Sequence, residues 1–207
     1  MFALTADQID SRHGPDLADH ALALLTRVGG DRLALPADRT AGDEVQVLTE
    51  NPRAAVDLLL DLARTGNWSI GLGIGTVRTP LPTDTRAATG PALIAARDAV
   101  DAAKKRPSRA AVAGAGDGIR PDASTLQATL DLLLHLRDRR SPEGWELYDL
   151  VEAGQTQAEA AATLGITPQA ASKRAIAAGI RLDSAARDAL TALLSLADES
   201  IGSGGEQ

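Results

Sequence analysis

The sequence predicts an α+β chain in two parts, a sheet-bearing N-terminal domain followed by an all-helical C-terminal one. Apolar residues before about position 114 switch between the strand period of two and the helical period of 3.6, whereas after Asp122 only helical spacing persists. Hydrophobic residues are 44% and charged residues 24% of the 207, the balance of a chain that packs a core rather than one that stays disordered. Aromatics are only 2%, so that core must be built from Leu, Ala, Val and Ile.

Phe2 to Ala6 is a short apolar run and reads as the first strand. Asp16 to Val28 places Leu17, Ala21, Leu24, Leu25 and Val28 on one helical face. Leu33 to Pro36 and Val45 to Leu48 are two further strands, separated by a polar hairpin that contains Gly42. Pro52, after Asn51, opens a helix through Arg64, with Gly66 just past its end. Trp68 to Val77 is a fourth strand with glycine at positions 71, 73 and 75 on one face, a pattern that lets a helix pack very close. A phosphate cradle is the rival reading of those glycines, but no Gly-Lys-Ser/Thr follows, so this is not a P-loop and packing is favoured. A third helix runs through Lys104, Arg109 to Ala113 supplies a last strand, and Lys105 to Asp122 ends the domain. The order β-α-β-β-α-β with an appended helix is the split βαβ, or ferredoxin-like, arrangement.

Helices are expected at Ala123 to Arg139, Pro142 to Glu152, Gln157 to Leu164, Pro168 to Ala178 and Ser184 to Ala197, with Gly154, Gly165 and Gly179 as breaks. The tail from Gly202 to Gln207 is expected to fray. The domains then span 1–120 and 141–201, joined by a connecting helix over 121–140.

Within the helical half, Thr156 to Arg174 has the spacing of a DNA-reading helix-turn-helix. Thr156 caps the first helix with Glu159 completing a capping box, and small Ala161 allows a close crossing. Gly165 makes the turn, Ile166 plugs the space between helices, Thr167 caps the second helix and Pro168 fills its first turn. In such a motif the second helix enters the major groove. Gln169 suits adenine, Ala170 a thymine methyl, and Ser172, Lys173, Arg174 and Arg181 suit phosphates or guanine. Three cations and no anion lie between Glu159 and Asp183. A bundle of purely structural helices, or a protein-docking module, is the competing reading. The stretch 141–182 holds three basic and five acidic residues, so a single copy would bind double-stranded DNA feebly. A homodimer reading a palindrome is therefore expected, with the Ser184 to Ala197 helix or the Ala123 to Arg139 helix as its surface.

Carboxylates also collect in the N-terminal half. Asp7 and Asp10 follow the first strand, and Asp43 and Glu44 lie in the hairpin that the split βαβ topology brings beside it. Paired carboxylates there suit Mg²⁺ holding the phosphates of a nucleotide, although acidic turns are common for other reasons. The run Arg39-Thr40-Ala41-Gly42-Asp43-Glu44-Val45 resembles the hairpin of diguanylate cyclases, and Phe2 to Asp7 resembles the metal-aspartate strand of class III nucleotidyl cyclases. Gly71 to Val77, followed by Gly90 to Arg97, resembles the later cyclase strand and helix. Ala6 to Arg12, Gly42 to Gln46 and the C-terminal helix-turn-helix together are similar to the bacterial SatD family, over most of the chain. That resemblance implies a cyclase-like, palm-like N-terminal domain with Asp7, Asp43 and Glu44 as metal ligands, Arg39 and Gly42 in the ligand-binding hairpin, and Arg97 steadying a phosphate. Leu93 stands where the cyclases carry an asparagine, and Ala41 and Val45 replace the first glycine and the phenylalanine of the hairpin. These departures favour a degenerate site that binds a nucleotide without turning it over.

Several function classes are excluded or disfavoured. With no cysteine there is no disulfide framework and no thiolate zinc site. Four aromatic residues cannot build a base-stacking platform for single strands. No apolar run approaches a membrane span and no basic-then-apolar leader opens the sequence, so a cytoplasmic address is expected. Net charge is −7, and residues 121–207 carry 7 basic against 13 acidic side chains, which argues against nonspecific polyanion binding. His13, His20 and His135 are not clustered, and His13 and His20, beside the first acidic turn, are expected in solvent. The function these readings converge on is a cytoplasmic, dimeric transcriptional regulator whose N-terminal domain senses a nucleotide and shifts the balance between arrangements of paired reading helices. The alternative is an enzyme, a Mg²⁺-dependent nucleotidyl cyclase or phosphotransferase regulated by its helical half.

Overall fold

The computed structural model describes residues 1–40, 42–116 and 118–203. It is a mixed α+β structure with one five-stranded sheet and eight α-helices among those residues. Two compact units are present, one formed by 1–131 with 189–207 and the other by 132–188. The division falls inside two helices, α4 (Ala123–Asp138) and α8 (Ile180–Ser203).

The first unit contains β1 (Phe2–Gln8), α1 (Ala18–Gly29), β2 (Leu33–Arg39), β3 (Glu44–Thr49), α2 (Pro52–Arg64), β4 (Trp68–Ile74), α3 (Pro91–Ala103) and β5 (Ala110–Gly114). The strands lie in the order β2-β3-β1-β4-β5, antiparallel except for the parallel pair β4–β5. Strand β1 runs two residues beyond its expected end. The side chain of Gln8 accepts from the amide of Leu17 and donates to the carbonyl of Pro15, holding the departing chain against the strand end.

Alternation along the strands divides the sheet into two faces. One carries Phe2, Leu4, Ala6, Val45, Val47, Ile70, Leu72 and Ile74, all buried, and is packed by α1 and α2. Pro52 sits in the first turn of α2 and the Asn51 side chain accepts from the Ala54 amide, so that helix starts where the sequence places it. The other face carries Ala3, Thr5 and Asp7 of β1 beside Gly73, Gly71 and Ser69 of β4. Here α3 lies almost on the backbone: a Cβ at Gly71 would stand 2.2 Å from the Ala96 carbonyl oxygen, and one at Gly73 2.1 Å from that of Ala92. Packing, the favoured reading of the alternating glycines, is what the structure shows. Ala92, Ala96, Ala99 and Ala103 complete the contact from the helix side, so small residues replace the missing aromatics by close approach.

Strand β5 is an edge, and its outer side is closed by a side chain instead of a sixth strand. Gln127 of α4 accepts from the Val112 amide at 2.9 Å and its own amide donates to the Ala110 carbonyl at 3.3 Å. A Gln side chain is here a stand-in for a neighbouring strand, which blunts an edge otherwise open to pairing.

The second unit holds the end of α4, then α5 (Pro142–Glu152), α6 (Gln157–Thr163), α7 (Pro168–Ala177) and the start of α8. Its apolar cluster is Leu147, Tyr148, Ala160, Ala175, Ala178 and Ile180, with Trp145, Leu150, Val151 and Leu164 packed against it. A charged network runs beside that cluster. Asp183 is fully buried, accepting from Arg137 at 3.2 Å and from Arg140 at 2.9 Å, while Arg187 donates to Glu152 and Tyr148. The Arg140 guanidinium lies 4.3 Å from the ring centres of both Trp145 and Tyr148, which favours a cation where a further hydrogen bond is lacking. Burial pushes the Tyr148 phenol up from its ordinary pKa, with Arg137 opposing the shift.

The last helix is longer than its sequence signal. The helix begins at Ile180, so Asp183 lies in its first turn, where a carboxylate is favoured by the helix N-terminus, and it is paired there with Arg137 and Arg140. At the other end Gly202 and Ser203 are helical, and the rest of the tail expected to fray lies outside the described residues. Among the described residues no helix is long and apolar enough to cross a membrane.

Candidate functional site

Two regions carry the side chains singled out in the sequence, one in each unit.

In the helical unit the local structure follows the capping logic. Thr156 accepts from the Glu159 amide and Glu159 reaches back to the Thr156 amide at 2.7 Å, a complete capping box that holds the Glu159 carboxyl below its ordinary pKa. At the end of α6, Gly165 has φ +65°, and the amides of Gly165 and Ile166 close on the carbonyls of Ala162 and Ala161. That pair of bonds is a Schellman motif, and the positive φ is the reason glycine stands there. Thr167 then caps α7 by accepting from the Ala170 amide at 3.2 Å, with Pro168 in the first turn. Leu164 packs against the core of the unit; Ile166, expected as the plug, is half-buried.

Ala171, Ala175 and Ala178 turn inward. The outward face of α7 carries Gln169, Ala170, Ser172 and Lys173, all exposed, and Arg181 at the start of α8 is exposed as well. Arg174 differs. It folds back onto α5, 3.7 Å from the Glu146 carboxylate and within 3.5 Å of the Glu143 carbonyl, so α5 holds its charge away from the outward face. Ile176, which the sequence reading passed over, is 77% exposed on the same face two turns past Gln169. The i, i+3, i+4, i+7 spacing of Gln169, Ser172, Lys173 and Ile176 was the available signal, masked because an isoleucine in a helix is usually core.

In the sheet-bearing unit, β1 and β3 bring Asp7 and Glu44 directly opposite each other on the face that α3 partly covers. Gln46 and Thr5 form the next rung, buried, with the Gln46 amide donating to the Thr5 hydroxyl at 3.0 Å. The carboxylates do not stand alone. Lys104, which caps the end of α3, places its Nζ 2.6 Å from Asp7 and 3.6 Å from Asp101. Arg97 donates to Glu44 at 2.6 Å, and the Thr40 hydroxyl donates to the same oxygen at 2.5 Å. The bond to Asp7 raises the ammonium of Lys104 above its ordinary pKa, against a smaller opposing effect of burial.

Arg39 is tied elsewhere, to Asp16 at 2.7 Å and to the Gly42 carbonyl, so it braces the hairpin. Asp43 lies half-exposed just before β3 and has no hydrogen-bond or ion-pair partner among the described residues. Ala41 of the hairpin lies outside them. Leu93, at the position where the cyclase resemblance calls for asparagine, is buried in a cluster with Ala3, Leu48, Val77 and Ala88. His13 and His20 are exposed near the first acidic turn. Among the described residues no group of three His, Asp or Glu side chains gathers in a way that could hold a metal ion. Sequence reasoning missed Lys104, whose signal was its place seven residues after Arg97, two turns along the same face of α3.

Compared with known proteins, the chain matches no family model, no curated protein and no solved structure.

Proposed function

We propose that the chain is a sequence-specific DNA-binding regulator that acts as a homodimer, with α6 and α7 as its helix-turn-helix and α7 as the helix that enters the major groove. The observation that carries this reading is the outward face of α7: Gln169, Ala170, Ser172 and Lys173 are exposed together at the start of a capped helix. No acidic residue stands between Glu159 and Asp183. Early positions of a reading helix meet base edges, and this set offers an amide for adenine, a methyl contact for thymine, and a cation for guanine or phosphate. With Arg174 held by α5, the face has one lysine and the nearby Arg181 as its cations, too few for tight binding by one copy. A second copy on a palindrome supplies the rest.

For the first unit the same proposal adopts a ferredoxin-like, palm-like domain related to nucleotidyl cyclases, and membership of the SatD family for the whole chain. The neighbour order β2-β3-β1-β4, antiparallel throughout, supports that topology. Burial of Leu93 supports a degenerate site, because a leucine packed in the core offers nothing to a ligand. In this reading the domain receives a nucleotide and turns none over.

The test is to map sites bound across a genome and then measure the recovered duplex by fluorescence anisotropy over a salt series. The wild type should show a steep fall in affinity with salt, and Lys173→Ala should weaken binding and reduce the slope by about one per subunit. A chain that enriches no duplex, or whose binding is indifferent to Lys173, does not read DNA through α7.

A further inference from the structure

We infer that the first unit carries its own counter-cations in place of a divalent ion: Lys104 stands at Asp7, and Arg97 at Glu44, where the cyclase resemblance would put Mg²⁺. The inference concerns the carboxylate face of the sheet alone and holds whether or not α7 reads DNA.

Register partners on neighbouring antiparallel strands have Cβ atoms about 4.5–5.5 Å apart. Asp7 and Glu44 are such partners, close enough to share a small cation and close enough to need one. The need is met from one helix. Arg97 and Lys104 project from the same side of α3 and each reaches one carboxylate at 2.6 Å. Thr40 takes the Glu44 oxygen as well, and Asp101 shares the ammonium of Lys104.

Magnesium asks for a near-octahedral oxygen shell at about 2.0–2.1 Å, with carboxylate oxygens free to enter it. Asp7 and Glu44 already accept from ammonium and guanidinium donors. Asp43, the third expected ligand, forms no pair with them and no three-residue group is assembled among the described residues. An entering Mg²⁺ would have to displace two cations or sit beside them, and like charges at a few ångströms repel. The residues present therefore do not fit the metal. They fit a face whose negative charge is neutralised from within, and a nucleotide bound there would meet no metal bridge.

The experiment titrates the full chain into Mn²⁺ and reads free Mn²⁺ by electron paramagnetic resonance, with heat of binding as a second readout. Wild-type protein should leave Mn²⁺ free to the same extent as Asp7→Asn. The double variant Arg97→Met with Lys104→Met should bind Mn²⁺ at least about tenfold more tightly than the wild type, and adding Asp7→Asn should abolish the gain. Should that variant not fold by circular dichroism, Lys104→Gln alone carries the same arm. Tight Mn²⁺ binding by the wild type that is lost in Asp7→Asn would overturn the inference. So would a folded Lys104 variant that gains no affinity, since Lys104 would then not be what fills the cation's place.

Discussion

Asp183 illustrates how much a single side chain can hold. It is fully buried and is contacted by Arg137 and Arg140 from the α4 side of the second unit, with Arg187 one turn along its own helix. Removing one partner of a buried ionic network leaves charge without compensation, at a cost of about 3–5 kcal/mol. Asp183→Ala should therefore unfold the second unit at markedly lower urea. Trp145, packed beside the network, reports that transition by fluorescence once Trp68 is replaced by Phe. Gly73 is the corresponding position in the first unit. A methyl there meets the backbone of α3, which cannot turn aside as a side chain can, so Gly73→Ala should destabilise by about 1–3 kcal/mol or more. With Trp145 replaced, Trp68 reads the loss. The glycine pattern was legible in the sequence because alternation is a local property. The partners of Asp183 were not, since Arg137 and Asp183 are 46 residues apart and nothing in either neighbourhood names the other.

At the scale of the element, the helices of the second unit start and stop where caps place them. The box at α6 gives a pH dependence whose sign is fixed. Its hydrogen bonds, first that from the Thr156 amide, hold the folded-state pKa of Glu159 below the ordinary glutamate value of 4.5. The contribution of this cap is therefore present in full above about pH 4.5 and is lost as pH falls through the lower folded value. Amide-exchange protection of α6 should fall in acid over that window, and Glu159→Gln should flatten the dependence. The cap of α7 has no titrating partner. Thr167→Ala should weaken that helix by about 1 kcal/mol at any pH, read as lost protection of the Ala170 amide. Element boundaries departed from expectation at two ends: β1 runs on to Gln8, whose side chain holds the loop before α1, and α8 begins at Ile180, ahead of Asp183 and its pairs with Arg137 and Arg140.

At the scale of the whole molecule, the sequence by itself determined the α+β class, the run of elements and the segment that presents an exposed polar helix. Those follow from apolar spacing, glycine placement and caps, each set by residues within a few positions of one another. The tertiary structure decided which charges are available. It turned Arg174 onto α5 and away from the outward face, and it set Lys104 and Arg97 against the carboxylates that local spacing had marked for a metal. The physical reason is that a charge is defined by its surroundings. Its partner can lie tens of residues away along the chain, as Arg97 lies 53 from Glu44, and only the folded sheet brings the two within a hydrogen bond.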